Sequence, residues 1–179
     1  MKRYVALLRG INISGKNKIA MAELKEGFAQ LGFSEVKTYL NSENIAFSSD
    51  AEDVCVISNT IEAMIKDKFD LNVPVFIEPQ EELQELLNNS PDWWGSADSE
   101  IYDNLIFLKP SLSHEEFHRE MGESKAEYEK VQNYKNVVFW SFSRKNYQKT
   151  NWWSRTASSD VRDEITIRTA NTIRKAAFL

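Results

Sequence analysis

Cysteine and histidine are scarce in this chain, and their scarcity excludes several kinds of site. The 179 residues include one cysteine, Cys55, and two histidines. A single cysteine cannot form an internal disulfide or supply a cysteine-based metal centre. We therefore expect no disulfide framework, no resident metal and no cofactor.

Long apolar runs are also missing. No stretch approaches the roughly 20 consecutive apolar residues that a membrane-spanning helix needs. The first nine residues, Met1 to Arg9, begin with charge, but their apolar core is too short for a signal peptide. With 42% apolar and 12% aromatic residues, the composition is typical of a folded chain with a sizeable core. These features predict a cytoplasmic protein without a membrane partner.

Charge is unevenly distributed along the chain. The net charge of −5 disfavours non-specific binding to nucleic acid. Residues 1–22 nevertheless carry five cations and residues 165–179 carry three, and neither stretch contains an acid. Two interpretations stay open: basic ends whose charges are merely solvated, or two ends that line one anion-binding face.

The order of apolar segments predicts an α+β fold. A buried strand over residues 2–9 is followed by a helix in which Met21, Leu24 and Phe28 share one face. Two short strands, a second helix and a fourth strand complete a βαββαβ unit. We expect a ferredoxin-like half of this kind, an antiparallel sheet with helices packed on one face.

The second half of the chain repeats this order. Two of its strands are predicted to flank a turn at residues 133–136, and a helix closes the chain. The polar, turn-rich stretch at residues 90–98 is the best candidate boundary. The predicted domains are therefore two tandem halves, residues 1–90 and residues 91–179.

The loop after the first strand contains a phosphate-loop frame. The spacing from Gly10 to Lys16 matches G-x-x-x-x-G-K, in which backbone N–H groups and a lysine bind phosphates. Asn17, however, stands where such a loop has the Ser or Thr that binds magnesium. The predicted helix also begins near Ala20 rather than at Lys16. We therefore do not expect a nucleoside triphosphatase.

A weaker hypothesis survives for the same loop. Arg9, Lys16 and Lys18 would make it an anion-binding loop in the most basic part of an acidic protein. The alternative is an ordinary surface loop whose glycines permit tight turns and whose lysines are solvated. The sequence leaves both open.

The two histidines match a metalloprotease motif. His114 and His118 form H-E-x-x-H, and on a helix both would share a face. Ser113 and Glu116 also form a capping box, which places the motif in the first, exposed turn of a short helix. We expect a helix N-terminus here rather than a zinc centre.

Two tryptophan pairs, Trp93-Trp94 and Trp152-Trp153, lie in polar, turn-rich surroundings. Adjacent residues cannot all face one core, so we expect some tryptophan surface to be exposed. Packing between the two halves and a contact surface for a partner are both open. A βαββαβ unit also suggests RNA recognition, but residues 44–48 lack the basic and aromatic pattern of such a strand.

Two motifs resemble a bacterial family, domain-of-unknown-function family 1697. They are R-G-I-N-x-x-G-K-N-x-x-x-M at residues 9–21 and T-Y-x-N-S-x-N at residues 38–44. Family members usually have Asn-Ser-Gly-Asn in the second motif, and Glu43 replaces that glycine here. They also tend to show T-x-R-N-W-x-T near the C-terminus, where this chain keeps Arg168 but has Thr169 and Ala170 in place of the asparagine and tryptophan. The resemblance implies a two-part α+β fold with ferredoxin-like halves, and it supplies no activity or catalytic residue.

These observations favour a protein that binds a small anionic ligand. A phosphate-bearing molecule is one candidate for that ligand. The predicted ligand-binding residues are Arg9, Asn12, Lys16, Asn17 and Lys18 of the loop, Asn41 and Asn44 of the hairpin, and Arg168. Asparagine suits such a site because its amide both donates and accepts hydrogen bonds. An interaction module that uses the tryptophan pairs and an enzyme of unidentified reaction are the alternatives. No nucleophile and base can be paired from the sequence, so catalytic residues and oligomeric state stay open.

Overall fold

The computed structural model of the chain describes residues 1–41 and 43–179. Within these ranges it contains eight β-strands, six α-helices and two short 3₁₀ helices. The chain divides into two compact units. The first comprises Met1–Glu85 together with Lys175–Leu179, and the second comprises Leu86–Arg174.

The elements of the first half follow the predicted order β-α-β-β-α-β, with one further helix. They are β1 (Lys2–Leu8), α1 (Met21–Gln30), β2 (Ser34–Tyr39), β3 (Asn44–Ser49), α2 (Val54–Phe69), β4 (Val75–Pro79) and α3 (Gln80–Asn88). Gly32 lies just beyond the last residues of α1 with a φ of 84°, a conformation that ends the helix. Pro74 lies immediately before β4, where its missing N–H removes no hydrogen bond from the strand.

The first sheet places β1 at its centre. The strand order is β2-β3-β1-β4, and every neighbouring pair is antiparallel. Ala6 of β1 lies opposite Ile45 of β3 on one side and Ile77 of β4 on the other. β1 therefore has hydrogen-bonded neighbours along both edges, and the loop that leaves it at Leu8 begins between two other strands.

The core of the first unit includes alternate residues of β1. Tyr4, Ala6 and Leu8 belong to it, because successive side chains of a strand point to opposite faces of the sheet. The two helices above the sheet contribute Leu24, Phe28, Ile57, Ile61 and Ile65, all of which are buried. Gly27 of α1 lets α2 approach closely, since a Cβ at this position would lie 2.5 Å from Sδ of Met64.

The second half repeats the order with additional short helices before its last strand. Its elements are β5 (Ile101–Leu108), α4 (His114–Met121), β6 (Glu129–Tyr134), β7 (Val137–Ser143), a 3₁₀ helix (Arg144–Lys149), α5 (Trp152–Ser158), a 3₁₀ helix (Arg162–Glu164), β8 (Ile165–Thr169) and α6 (Ala170–Ala176). The strand order β6-β7-β5-β8 corresponds to that of the first sheet, and all pairs are again antiparallel.

The core of the second unit is built around tryptophan. Trp140 and Trp152 are fully buried, with ring centroids 6.1 Å apart. The indole N–H of Trp140 donates to the buried Glu129, 3.1 Å away. The other carboxylate oxygen of Glu129 accepts the backbone N–H groups of Lys125 and Asn151. Three N–H donors therefore satisfy the hydrogen-bonding capacity that this buried acid would otherwise leave unused. The same bonds connect β6, β7 and the start of α5.

The α+β class and the two four-stranded antiparallel sheets are confirmed. The term ferredoxin-like stays an interpretation of the element order. The division into residues 1–90 and 91–179 stays a prediction. The turn predicted at residues 133–136 was too long, because Asn133 and Tyr134 pair with Val138 and Val137 and so extend β6. Only Lys135 and Asn136 remain in the turn. Among the described residues, no helix is both long enough and apolar enough to cross a membrane.

The N-terminus of α2 gives a test of the fold. The carboxylate of Asp53 accepts the backbone N–H groups of Cys55, at 2.8 Å, and Val56, at 3.3 Å. We expect Asp53→Ala to lower the free energy of unfolding by about 1 kcal/mol, because these N–H groups lose their acceptor. Urea unfolding measures the change.

The exposed neighbour Glu52 is the matched control for this change. It also carries a negative charge near the helix start, but it does not cap the helix. Glu52→Ala should change the free energy of unfolding by less than about 0.5 kcal/mol. Equal losses for the two variants would show that general charge, not capping, stabilises this helix end.

Candidate functional site

The loop of residues 9–18 leaves the centre of the first sheet. The backbone N–H of Leu8 donates to the carbonyl of Glu43 at 2.8 Å, and that of Arg9 donates to the carbonyl of Pro74 at 3.0 Å. The buried Ile11 and Ile19 anchor the two ends of the loop in the core of the first unit. Its middle, from Ile13 to Lys18, is exposed.

The exposed middle is a tight hairpin rather than a phosphate cradle that opens a helix. The N–H of Asn12 donates to the carbonyl of Asn17 at 3.1 Å, and that of Lys16 donates to the carbonyl of Ile13 at 2.9 Å. Ser14 and Gly15 between them both have positive φ, 50° and 75°, as the two central residues of a type I′ turn require. α1 begins only at Met21, as expected from the sequence.

The side chain of Asn12 determines how the loop sits. Its amide oxygen accepts the N–H of Ile19 at 2.9 Å, and its amide nitrogen donates to the carbonyl of Ile19 at 3.2 Å. The same nitrogen donates to the carbonyl of Asn41 at 2.9 Å. One amide therefore closes the loop on itself and joins it to the hairpin between β2 and β3. An amide supplies both a donor and an acceptor, and Asn12 uses both.

Asn17 has a similar role within the loop. Its side-chain nitrogen donates to the carbonyl of Gly10 at 2.8 Å, and its φ is 49°. Asparagine tolerates this left-handed conformation better than most residues. The structure thus gives Asn12 and Asn17 a positioning role, while direct contact of either residue with a ligand stays a prediction.

The cations near the N-terminus fall into two groups. Lys2 faces Glu81 at 3.8 Å, and Arg3 faces Glu35 at 3.9 Å. Lys16 and Lys18 are exposed, and neither forms an ion pair or a side-chain hydrogen bond within residues 1–41 and 43–179. Lys18 lies over the turn, since its Cε is 3.9 Å from the position that a Cβ of Gly15 would occupy. Arg9, at the base of the loop, is half-buried.

The hairpin residues predicted for the site differ in exposure. Asn41 is exposed with a φ of 48°, and its carbonyl receives the hydrogen bond from Asn12. Asn44 is fully buried, and its side-chain nitrogen donates to the carbonyl of Tyr39 at 3.3 Å. Ser42, part of the predicted motif, lies outside the described residues. Of the predicted hairpin residues, Asn41 is the one that the structure brings into contact with the loop, through its hydrogen bond from Asn12.

Arg168 belongs to the second unit. It lies on β8 and is half-buried. Its guanidinium donates to the hydroxyl of Thr166 at 2.8 Å and to the carbonyl of Ile167 at 2.9 Å. These local bonds orient the side chain, and its participation in one site with the loop stays a prediction.

The H-E-x-x-H motif forms the start of a helix. Nε2 of His114 contacts the carbonyl of Lys135 at 2.5 Å, and Nε2 of His118 contacts the amide oxygen of Asn133 at 2.8 Å. Within the described part of the chain, no group of three or more metal-ligating side chains comes together.

The predicted capping box at this helix is present. The hydroxyl of Ser113 accepts the N–H of Glu116, while the carboxylate of Glu116 accepts the N–H of Ser113, each at 3.1 Å. These bonds from Ser113 lower the pKa of Glu116 below its usual range. Glu116 is consequently ionised at neutral pH and acts as a helix cap.

One tryptophan of each pair is buried, while Trp93 is half-buried and Trp153 is exposed. Trp152 is fully buried and Trp94 is 5% exposed, with its indole N–H donating to the carbonyl of Asn104 at 2.8 Å. Trp153 is 44% exposed and packs edge to face against Tyr147. The expected exposed tryptophan surface is therefore centred on Trp153.

Sequence reasoning missed a polar cavity in the second unit. It has a volume of about 470 Å³, and Asp103, Arg144 and Arg174 are among its lining residues. One signal was available, because Asp103 is an acid within the apolar strand Ile101–Leu108. Acids are seldom buried without a specific reason.

The role of Asn12 can be tested by two substitutions. We expect Asn12→Ala to lower the free energy of unfolding by about 2 kcal/mol, because three hydrogen bonds are lost and alanine disfavours a φ of 52°. Asn12→Gly should lower the free energy of unfolding by less, since glycine removes the same bonds but adopts this φ without strain. Urea unfolding compares the two.

Ser14→Gly is the control for backbone conformation alone. Ser14 has a φ of 50°, and its exposed side chain makes no hydrogen bond within the described residues. We expect this variant to be as stable as the original protein or slightly more stable. If Asn12→Ala proved equally neutral, the hydrogen bonds of Asn12 would not be what holds the loop.

Three comparisons relate the chain to known proteins. The model of a family described as "Protein of unknown function (DUF1697)" matches residues 1–139. No curated protein matches the chain. A solved structure of a conserved bacterial protein from Streptococcus pneumoniae is similar, with 28% sequence identity and a TM-score of 0.84. The match covers 98% of this chain and 97% of that protein.

The family match includes the whole Arg9–Lys18 loop and the hairpin that it contacts. It extends through β5 and into β7, so it spans residues of both compact units. The chain therefore belongs to the DUF1697 family of proteins of unknown function.

Proposed function

We propose that this protein binds a small anionic ligand, of the phosphate-bearing class, at the Arg9–Lys18 loop. The observation that carries the proposal is the pair Lys16 and Lys18. Both are exposed on a loop held by its own hydrogen bonds, and neither has a carboxylate partner within the described residues. In a chain with 27 acidic residues, two neighbouring lysines without an acid partner form a local positive site.

The fixed shape of the loop supports binding. Asn12 and Asn17 hold the backbone in a compact hairpin, so little conformational entropy is lost when a ligand arrives. The flexible lysines then act as point charges above a rigid turn. Arg9 at the base of the loop and Asn41 on the adjoining hairpin are proposed as further contacts.

Exposed apolar side chains on the loop and on the hairpin that it contacts favour an organic phosphate over the inorganic ion. Ile13 of the loop is 52% exposed and Leu40 of the adjoining hairpin is 49% exposed. A ligand with a carbon skeleton would cover part of this apolar surface while its phosphate meets Lys16 and Lys18. We also propose that the protein acts in the cytoplasm, where phosphorylated metabolites are abundant.

The proposal is tested by thermal unfolding with inorganic phosphate, pyrophosphate and a panel of phosphorylated metabolites. A ligand at 100 times its Kd stabilises the native state by about 2.7 kcal/mol, which raises the Tm by about 5–10 °C. Lys16→Ala and Lys18→Ala should each reduce the rise, and the double variant should abolish it. Arg9→Ala should reduce it as well.

Lys25→Ala supplies the matched control for lost charge. Lys25 is another exposed lysine of the first unit, but it lies on α1 rather than on the loop. Its variant should keep the full rise in Tm. No rise with any phosphate compound, or equal losses for Lys16→Ala and Lys25→Ala, would contradict binding at the loop.

A further inference from the structure

We propose that the second unit carries a separate site for a small zwitterion, an amino acid or short peptide. The site is the polar cavity lined by Asp103, Arg144 and Arg174. All residues that line it lie between Gly95 and Arg174, within one compact unit. No residue of the Arg9–Lys18 loop lines this cavity.

Asp98 and Asp103 both line the cavity, and Asp103 is the buried acid of the two. It is 7% exposed and lies on β5 opposite Ser141 of β7. The hydroxyl of Ser141 donates to one carboxylate oxygen, and that of Ser96 donates to the other at 3.4 Å. No cation of the described residues lies within 4.0 Å of this carboxylate to form an ion pair.

A carboxylate in this setting has acceptor capacity to spare. Its two oxygens offer about four lone-pair directions, and two hydroxyl donors occupy only part of them. A buried negative charge without a cation is also costly. An ammonium group of a ligand would supply both the missing charge and up to three N–H donors.

Arg144 is a cationic side of the same cavity. Its guanidinium carbon lies 3.9 Å from the centroid of the Tyr102 ring, so the group stacks on the aromatic ring. Its side chain makes no hydrogen bond and no ion pair within the part of the chain that is described. The stacked plane therefore keeps N–H donors available for an anion.

Arg174 is a second cation at the cavity. Its guanidinium donates to the carbonyl of Gly95 and to the side chain of Asn171, and it lies 5.9 Å from the centroid of the Trp94 ring. These partners are neutral, so the positive charge has no acid within salt-bridge distance among the described residues. Arg144 and Arg174 both line the cavity, and a guanidinium group can bind a ligand carboxylate in forked geometry.

The charges of the cavity complement one molecule that carries both signs. Asp103 does not pair with Arg144 or Arg174 within 4.0 Å, so neither charge is cancelled by the other. The volume of about 470 Å³ lies within the usual range for small-molecule sites. An α-amino acid or a dipeptide, with its ammonium at Asp103 and its carboxylate at the arginines, satisfies both sides.

A ligand series tests the proposal on the unaltered protein. Common L-α-amino acids and glycyl dipeptides are screened by thermal unfolding, and compounds that raise the Tm are measured by titration calorimetry. The N-acetyl derivative, which lacks the ammonium charge, and the carboxamide, which lacks the carboxylate charge, are then measured in the same way. We expect at least one zwitterion to bind, and removal of either charge to weaken binding about tenfold or more.

Substitutions locate the two charges. Asp103→Asn keeps the size of the side chain. It should weaken binding of the zwitterion about tenfold or more but leave binding of the N-acetyl derivative unchanged. Arg144→Gln should weaken binding of the zwitterion and leave binding of the carboxamide unchanged. Arg162→Gln is the control, because Arg162 is an exposed arginine of the same unit that does not line the cavity. It should bind as the original protein does.

The outcomes separate this site from the loop. Lys16→Ala should bind the zwitterion normally, whatever its effect on phosphate compounds. Absence of binding by every amino acid and dipeptide would overturn the proposal. So would binding that Asp103→Asn and Arg144→Gln leave unchanged.

Discussion

The pairing of β1 with strands on both sides is the constraint on which the first unit depends. Because β3 and β4 flank β1, the chain that leaves Leu8 starts between two neighbouring strands and must turn at once. The side chain of Asn12 makes that turn possible by bonding to Ile19 and to the hairpin residue Asn41. Sheet order and one amide thus place two lysines at a defined position.

The two units manage charge in different ways. In the first unit, exposed lysines stand on a hydrogen-bonded turn and have no carboxylate partner among the described residues, an arrangement that suits an anion approaching from solvent. In the second unit, the buried Asp103 and two arginines line one cavity without pairing with one another.

Local sequence patterns predicted much of the fold and the position of the loop. Apolar periodicity gave the order of strands and helices, and the spacing of Ser113 and Glu116 gave a capping box. Asn12 was predicted to bind a ligand, whereas its observed role in holding the loop depends on a contact with Asn41, 29 positions away. Such contacts follow from strand order, which a local pattern does not contain.

The cavity of the second unit escaped prediction for a related reason. Asp103 and Ser141 are 38 positions apart, and only the register of β5 with β7 places them side by side. Arg144 reaches the same cavity because it follows the end of β7 directly. The phosphate-loop frame shows the opposite case, in which a local pattern is present and the backbone forms a hairpin instead.

Nuclear magnetic resonance shows residue by residue whether an anion binds at the loop. The backbone amides of ¹⁵N-labelled protein are followed while a phosphorylated metabolite that raises the Tm, or pyrophosphate, is added. We expect saturable shifts concentrated on residues 10–18 and the adjoining hairpin at Asn41. Shifts that are absent at saturating phosphate, or that cluster away from the loop, would contradict binding at the loop.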